Sequence, residues 1–301
     1  MKNNIQRKWL TVGIILLFVG TIVIPSTAQD TQKPIQASRG NWLYVGGSGP
    51  GNYSKIQDAI DNASDGDTVF VYSGFYNENI VINKSIVLSG QHRDTTIIIG
   101  ENDSDIIQIT DCSLELEGFT IQGQNEKYVN GVTLRNCWSS HIHENYVKSF
   151  YTGIVVFDNE LTVVSNNTIQ NCEFSILLYE TKNIAIKGNI IDGNGKTVGV
   201  IVGESIHTNI IGNNITNSLY GIELEFSYFT SIQENNFIGI KEEQAYFLCS
   251  YFSSWYKNYW GQSYVLPKII SGVVGGDNIR FIFINIDWRP AREPYDIPGM
   301  T

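Results

Sequence analysis

The amino-acid sequence predicts an all-β fold, a single-stranded right-handed parallel β-helix of about eight coils of roughly 22 residues each. The first observation is a repeat, in which lines such as GIVVFDNELTVVSNNTI (153–169) and GIELEFSYFTSIQENNFI (221–238) return along the chain. The second is that apolar residues alternate within a line, as in Ile154 and Val156, which is the period of a short strand. The third is that no helical period runs through 68–262.

Each repeat is too short to form a core of its own. Short strands cannot bury their apolar side alone, but stacked turns cover one another and build one continuous core. A corner between two short strands often requires a positive φ, which asparagine tolerates better than most residues. Stacked side-chain amides can also hydrogen-bond from turn to turn. The recurring asparagines therefore predict a structural ladder, which consists of Asn145, Asn167, Asn189, Asn214 and Asn236.

The N-terminus has the features of an export signal. A basic start with Lys2, Arg7 and Lys8 precedes an apolar run over 9–24, and small residues follow up to Ala28, as in a cleaved signal peptide. The apolar run is shorter than the ~20 residues that a membrane-spanning helix needs, which favours a cleaved signal over the alternative of an uncleaved anchor. We therefore expect a secreted or cell-surface protein with no membrane span after signal removal.

The remaining chain reads as one domain with a cap at each end. The predicted organisation is a signal peptide over 1–28, a linker over 29–41, the β-helix with its N-terminal cap over 42–262, and a C-terminal capping or covering segment over 263–301. The last coil, YFSSWYKNYWG (251–261), is rich in aromatic residues. It predicts either a plug for the open end of the solenoid or a platform on which sugar rings stack.

Composition limits the possible partners. Hydrophobic residues make up 42% of the chain and charged residues 17%, which is typical of a globular protein rather than a disordered one. Thirty acidic residues outnumber twenty basic ones. Nucleic-acid binding needs basic surface, so we exclude nucleic acid as a partner.

Several segments resemble one known group. The repeats GIVV…NNTI and GIEL…NNFI, the opening WLYVGGSGPGNYSKIQDAID (42–61), and the endings NYWG (258–261) and IDWRPAREPYDIPG (286–299) resemble NosD-like proteins of the pectin-lyase-like superfamily. That superfamily has carbohydrate-binding and sugar-hydrolase members. The resemblance implies a helix around 53–63 that caps the first coil, and the shared face of Ile56, Ala59 and Ile60 supports this. The NosD-like branch also implies a copper-delivery role, which no motif assigns to particular residues here.

Residues between the inward pair of each line face outward and form columns along the solenoid. These columns predict a ligand-binding face, which consists of Phe157, Tyr179, Leu177, Ile201, Glu223 and Glu225. Contiguous exposed apolar residues usually mark a contact surface. The alternative is that the C-terminal segment, 263–301, folds over this face and covers Val155, Leu177 and Ile201.

An acidic column at the end of the same strands is the strongest catalytic hint. Asp158, Glu180 and Glu204 fall on successive coils, with Arg135 one coil before Asp158. Paired carboxylates at about 5 Å serve retaining glycosidases, and clustered carboxylates also bind calcium. Because a solenoid gives this spacing to any aligned acids, solvated charge that discourages aggregation is a third interpretation.

Two histidines and two cysteines complete the candidates. His141 and His143 point the same way if Ile142 is inward, and two imidazoles on one strand can share a metal ion such as copper. Cys112 and Cys137 occupy equivalent places on neighbouring coils, within reach of a disulfide in an exported protein. The other two cysteines are expected to be free and buried.

The preferred functional interpretation is an exported module that binds polysaccharide or another cell-envelope component without catalysis. The second is a polysaccharide lyase or glycoside hydrolase acting through the acidic column. The third is a NosD-like copper-handling accessory protein. No cofactor is certain, calcium and copper being the candidates, and the sequence does not give the oligomeric state.

Overall fold

The computed structural model describes residues 40–100, 104–124, 128–195, 197–276 and 279–297. The predicted signal peptide and most of the predicted linker lie outside these ranges. The described residues belong to one compact unit, which extends over Arg39–Thr301. Within them, no helix has the length and apolar character needed to cross a bilayer.

The described residues form one short helix and 28 strands, most of them three to six residues long. The helix, α1, is Ile56–Asn62. The strands are β1 Trp42–Val45, β2 Thr68–Val71, β3 Gly74–Asn77, β4 Ile80–Ile82, β5 Ile86–Gly90, β6 Thr96–Ile99, β7 Ile107–Thr110, β8 Leu114–Glu117, β9 Thr120–Gln122, β10 Asn130–Arg135, β11 His141–His143, β12 Tyr146–Lys148, β13 Thr152–Phe157, β14 Val163–Ser165, β15 Thr168–Gln170, β16 Phe174–Tyr179, β17 Ala185–Lys187, β18 Ile190–Asp192, β19 Val198–Gly203, β20 Asn209–Ile211, β21 Asn214–Thr216, β22 Tyr220–Glu225, β23 Ser231–Gln233, β24 Asn236–Ile238, β25 Glu243–Leu248, β26 Ser254–Tyr256, β27 Lys268–Gly276 and β28 Ile279–Asp287.

From β3 to β26, each turn of the chain contributes one strand to each of three faces, and β1 and β2 extend the second face alone. The first face stacks β4, β7, β10, β13, β16, β19, β22 and β25 in parallel. The second stacks β1, β2, β5, β8, β11, β14, β17, β20, β23 and β26. The third is an eight-stranded sheet running from β3 to β24. The predicted parallel β-helix is confirmed, with about ten turns and a repeat of ~23 residues instead of the expected eight, because the N-terminal turns match the repeat poorly in sequence.

The core runs along the axis between the three faces. In one turn Ile154 and Val156 point inward from the first face, Val164 from the second and Ile169 from the third, and all four are fully buried. A buried aliphatic side chain of this size stabilises the fold by about 1.5–3 kcal/mol. Because the next turn repeats the pattern, the apolar contacts form one uninterrupted column.

An asparagine ladder occupies the corner between the second and third faces. Each amide Nδ2 donates to the Oδ1 of the next rung at 2.9 to 3.2 Å. Each Oδ1 also accepts the backbone N–H of the preceding rung. The rungs are Asn145, Asn167, Asn189, Asn213, Asn235 and Asn258, all fully buried.

The predicted ladder is therefore wrong at two turns, where Asn213 and Asn235 replace the expected Asn214 and Asn236. Asn236 instead holds the C-terminal segment, since its Nδ2 donates to the Tyr295 carbonyl at 2.9 Å and its Oδ1 accepts the Tyr295 N–H at 2.8 Å. The positive φ that was expected at the ladder asparagines themselves occurs one residue earlier. It belongs to the residue before each rung, in the order Glu144, Asn166, Gly188, Gly212, Glu234 and Lys257.

A buried carboxylate ends the ladder. Asp287 is fully buried, and its Oδ2 accepts Asn258 N–H at 2.9 Å and the Trp260 indole N–H at 3.1 Å. Its Oδ1 accepts the backbone N–H groups of Lys257 and Arg289, each at 3.1 Å. This clamp fixes the strand that contains Asp287 onto the last turn.

The opposite end is closed by α1. Ile56, Ala59 and Ile60 are buried against the first turns. The Glu78 carboxylate accepts the N–H of Ile56 at 2.9 Å and of Gln57 at 3.0 Å, which satisfies donors that the start of a helix leaves free.

The C-terminal segment extends the stack instead of lying across the outer face. The β27–β28 hairpin is antiparallel, and its strands pair with β25 and β26. Trp255 and Trp260 of the preceding coil are buried, and the Trp260 ring stacks on Phe237 at 4.8 Å between centroids. The first face around Val155, Leu177 and Ile201 is thus not the surface onto which the hairpin strands pack.

Candidate functional site

The outward residues of the first face align as columns. Parallel pairing puts Arg135 beside Phe157, Phe157 beside Tyr179, and Glu225 two turns beyond Tyr179. The Phe157 and Tyr179 rings stack at 5.8 Å with only 5° between their planes. The Arg135 guanidinium lies 5.1 Å from the centre of the Phe157 ring. In the adjacent column, Leu177, Ile201 and Glu223 follow one another and are half-buried.

Glu223 is an outward residue of this face whose acidity is shifted. Partial burial raises its pKa above the ordinary value, and the charges of Glu225 and Glu243 raise it further. Replacing this carboxyl with a neutral amide should therefore favour the folded state once the pH rises through the raised pKa of Glu223.

The acidic column lies at the corner that follows the first face. Asp158, Glu180 and Glu204 each take a positive φ and are exposed. Glu204 accepts a hydrogen bond from the Tyr179 hydroxyl. That bond raises the pKa of Tyr179, as do the charges of neighbouring carboxylates, so the phenol stays protonated and continues to donate.

An open cleft of about 480 Å³ lies beside Glu204. Its lining consists of Glu204, Ser205, Ile206, Phe226 and Tyr228. Its volume falls in the ~300–1,000 Å³ range of small-molecule sites. The cleft combines one carboxylate, one phenol and an apolar ring at a single corner.

Aromatic side chains continue from this cleft towards the C-terminal end. We call this surface the aromatic ridge; it comprises Phe226, Tyr228, Phe229, Tyr251 and Phe252. The His207 and Phe229 rings are 5.1 Å apart and nearly parallel, and Phe229 and Phe252 repeat that arrangement. Tyr228 and Tyr251 stack at 5.8 Å. Phe252 is 74% exposed, so the ridge presents apolar surface to solvent.

A second group of polar side chains projects from the second face. Strand pairing aligns His141 with Glu115 and His143 with Glu117; we call these four residues the His–Glu cluster. His143 Nε2 lies 3.1 Å from Glu115 Oε1 and 3.6 Å from Glu117 Oε2. One nitrogen or oxygen atom from each of Glu115, His141 and His143 lies within 4.8 Å of the others.

The two imidazoles of the cluster differ in acidity. Burial, together with the charge of the neighbouring His143, lowers the pKa of His141 to about 4. Burial also acts to lower the pKa of His143, but the hydrogen bond to Glu115 and the nearby carboxylates outweigh it, so that pKa is raised. The same hydrogen bond lowers the pKa of Glu115.

The predicted disulfide is not formed, since Cys112 and Cys137 are buried free thiols, as are Cys172 and Cys249. Cys112 and Cys137 interact as a hydrogen-bonded pair. This bond lowers the pKa of Cys137 to about 7 and raises that of Cys112.

Sequence reasoning missed two parts of these surfaces. Glu115 and Glu117 lie on the turn before the histidines, in a line that matches the repeat weakly. The ridge was predicted only in part, since the possible sugar platform over 251–261 includes Tyr251 and Phe252. Phe226, Tyr228 and Phe229, at the corners of the preceding turn, were missed. A usable signal was present in the pairs Tyr228–Phe229 and Tyr251–Phe252, which recur after 23 residues.

Solved structures share the fold at low identity. DFA-IIIase from Arthrobacter chlorophenolicus A6 aligns with a TM-score of 0.56 and 11% identity, over 70% of this chain and 68% of that one. The family 28 exopolygalacturonase of Yersinia enterocolitica aligns with a TM-score of 0.50 and 11% identity, over 70% of this chain and 54% of that one. These likenesses establish the parallel β-helix and nothing about activity.

A sequence relative and a family model match more directly. A cell surface glycoprotein of Methanothermus fervidus is 33% identical over 101 residues, which are 33% of this chain and 16% of the relative. The chain thus corresponds to a small part of that relative's length. Residues 60–278 match the model described as "Periplasmic copper-binding protein (NosD)". Together with the solenoid itself, this match over most of the chain shows that the protein belongs to the NosD family.

Proposed function

We propose that this protein is an exported β-helix module that binds a neutral polysaccharide of the cell envelope at the aromatic ridge, without altering it chemically. The observation that carries the proposal is the cleft in which the Glu204 carboxylate lies beside the Phe226 and Tyr228 rings. A sugar ring has an apolar face and a rim of hydroxyl groups. The cleft offers a matching partner for each.

The stacking of aromatic rings on successive turns of the ridge supports a polymeric ligand. Ring pairs return at 5.1 and 5.8 Å along the solenoid, so the apolar surface is elongated. Exposed apolar surface of this kind usually marks a binding site. A polymer laid along the ridge would contact several turns at once.

Charge favours an uncharged ligand. The chain has a formal net charge of −10, and carboxylates crowd the corner around Glu180 and Glu204. Like charges oppose association, so an acidic polysaccharide would be repelled. Sugar hydroxyls, in contrast, can donate hydrogen bonds to Glu204.

The acidic column supports binding more than catalysis. Asp158, Glu180 and Glu204 are exposed, whereas the acid catalyst of a glycosidase is shielded from water so that it keeps its proton. Glu204 also accepts the Tyr179 hydroxyl, which occupies one of its oxygens. The proposed role is therefore recognition.

Affinity gel electrophoresis tests the proposal with dextran as the neutral probe and polygalacturonate as the acidic one. Dextran should retard the wild-type protein, and Tyr228→Ala should weaken retardation about 5- to 10-fold, as expected for losing an aromatic contact of ~1 kcal/mol. Phe75→Ala is the matched control, because Phe75 is an exposed ring on the third face. Absence of retardation by dextran, or an equal effect of both variants, would contradict the ridge as the site.

Release of reducing ends from either polymer would show that the protein cleaves polysaccharide, contrary to the proposal that it only binds it. In that case Glu204→Gln should abolish the release, which the binding proposal does not predict.

A further inference from the structure

We propose that the His–Glu cluster binds one divalent transition-metal ion, Cu²⁺ or Zn²⁺. The ligands are the imidazoles of His141 and His143 and the carboxylate of Glu115, with Glu117 as a fourth. This site lies on the second face and does not depend on the proposed binding of polysaccharide.

The imidazole rings of His141 and His143 lie closer together than their spacing along the strand requires. Two outward residues separated by one position on a strand lie about 6.6 Å apart along the chain. The ring centres of His141 and His143 are only 4.0 Å apart, with 32° between their planes. The rings therefore lean towards each other, and one nitrogen atom of each lies within 4.8 Å of the other and of a Glu115 carboxylate oxygen.

The carboxylates have little else to neutralise them. Among the described residues, His143 is the ion-pair partner of both Glu115 and Glu117, and no lysine or arginine there lies within 4.0 Å of either. Glu144 adds a third carboxylate, grouped with Glu117 and His143. A bound dication would balance this negative charge and satisfy the carboxylate oxygens.

Neighbouring hydroxyl groups orient the ligands from outside. Ser165 Oγ lies 2.7 Å from His141 Nε2, and Ser89 Oγ donates to Glu117 Oε1 at 3.0 Å. Such outer contacts fix the ring and carboxylate orientation in metal sites. Because Ser165 contacts Nε2, the proposed ligand atom of His141 is Nδ1.

The donor set discriminates among metals. Imidazole with carboxylate suits Cu²⁺ and Zn²⁺, whereas Cu⁺ prefers sulfur ligands and Ca²⁺ takes six to eight oxygens. The two methionines of the sequence, Met1 and Met300, lie outside the described ranges, and all four cysteines are buried. The cluster therefore fits the copper of the family description only as Cu²⁺.

Calorimetric titration of metal-free protein with CuCl₂ and with ZnCl₂ tests the site, with any polyhistidine tag removed. The wild-type protein should bind one equivalent of each ion. His141→Gln and His143→Gln should each lower the affinity by more than about 100-fold, beyond the 10–100-fold typical of outer-shell changes. The Cu²⁺ electron paramagnetic resonance spectrum should show coupling to two nitrogens, and to one in His141→Gln.

The matched control replaces the two other histidines of the chain. His92 and His207 are exposed, so the double variant H92Q/H207Q should bind as wild type. Glu115→Gln provides a variant that keeps side-chain size, and it should also weaken binding even if a histidine variant fails to fold. Equal affinities in wild type, H141Q and E115Q, or loss of binding in H92Q/H207Q alone, would overturn the proposal.

Discussion

Removing the side-chain amide of Asn167 should cost far more stability than removing that of its neighbour Asn166. Asn167 is fully buried. Its Nδ2 donates to the Ile142 carbonyl at 2.8 Å, and its Oδ1 accepts the Asn145 N–H at 3.1 Å. Asn167→Ala leaves this carbonyl and this N–H without that partner in the core.

The expected magnitude follows from those two groups. A buried donor or acceptor that loses its partner costs about 1–3 kcal/mol, so Asn167→Ala should lower the free energy of unfolding by about 3–4 kcal/mol. Asn166 has a positive φ, and the aligned residues on the next two turns are Gly188 and Gly212. Glycine suits this conformation, so Asn166→Gly should change stability by less than about 0.5 kcal/mol.

Urea unfolding at equilibrium provides the assay. It should be followed both by far-ultraviolet circular dichroism, which reports the strands, and by tryptophan fluorescence, to which the buried Trp255 and Trp260 contribute. Coincident transitions are needed because a solenoid can unfold in parts. If Asn167→Ala and Asn166→Gly shift the midpoint equally, the ladder does not stabilise the corner as reasoned.

The remaining predictions concern the ladder register, its end and one outward charge. Asn213→Ala should destabilise the protein by about 3 kcal/mol in the same urea assay, and Asn214→Ala by clearly less. A larger effect of Asn214→Ala would show that Asn214 is the rung, as the sequence predicted. Asp287→Asn should cost about 2–3 kcal/mol, because an amide cannot accept all the N–H groups that meet this carboxylate, and an unchanged melting temperature would contradict the clamp. The raised pKa of Glu223 makes the folded state favour the protonated carboxyl, so its contribution is full below about pH 4.5 and is lost as pH rises through the raised value. Glu223→Gln should therefore be more stable than wild type at pH 7 by about 0.5 kcal/mol and equal to it at pH 4; a constant difference across that range would refute the assignment.

The sequence predicts the fold because the solenoid repeats its physical constraints at every turn. Ile154 and Val156 must point inward, and the same requirement returns at Ile176 and Leu178, so the period is visible without any structure. Two adjacent asparagines make the register of the ladder ambiguous. In the pair Asn166–Asn167 the second residue is the rung, whereas in Asn213–Asn214 the first residue is the rung. The position of the preceding inward residue resolves the register, because each rung follows a buried strand residue by three positions. Ile142 lies three positions before Asn145, and Ile210 lies three positions before Asn213.

The sites were harder to predict because they combine residues from turns that differ in length. Glu115 and His141 are directly paired although 26 residues separate them, which is longer than the repeat. The aromatic ridge lies at corners, where no alternation of apolar residues exists to mark it. Whether side chains from different turns meet at one site depends on their orientation, which the amino-acid sequence alone does not specify.

The most direct test of the proposed function is the dissociation constant for dextran of the double variant F226A/Y228A relative to wild type, with the melting temperature of both measured in parallel. We predict that binding falls by about 25-fold or more, as two aromatic contacts of ~1 kcal/mol each are lost. The melting temperature should fall by no more than about 4 °C, because both rings are exposed and the stack that is lost is Tyr228 on Tyr251. An unchanged dissociation constant would show that the ridge is not the binding surface.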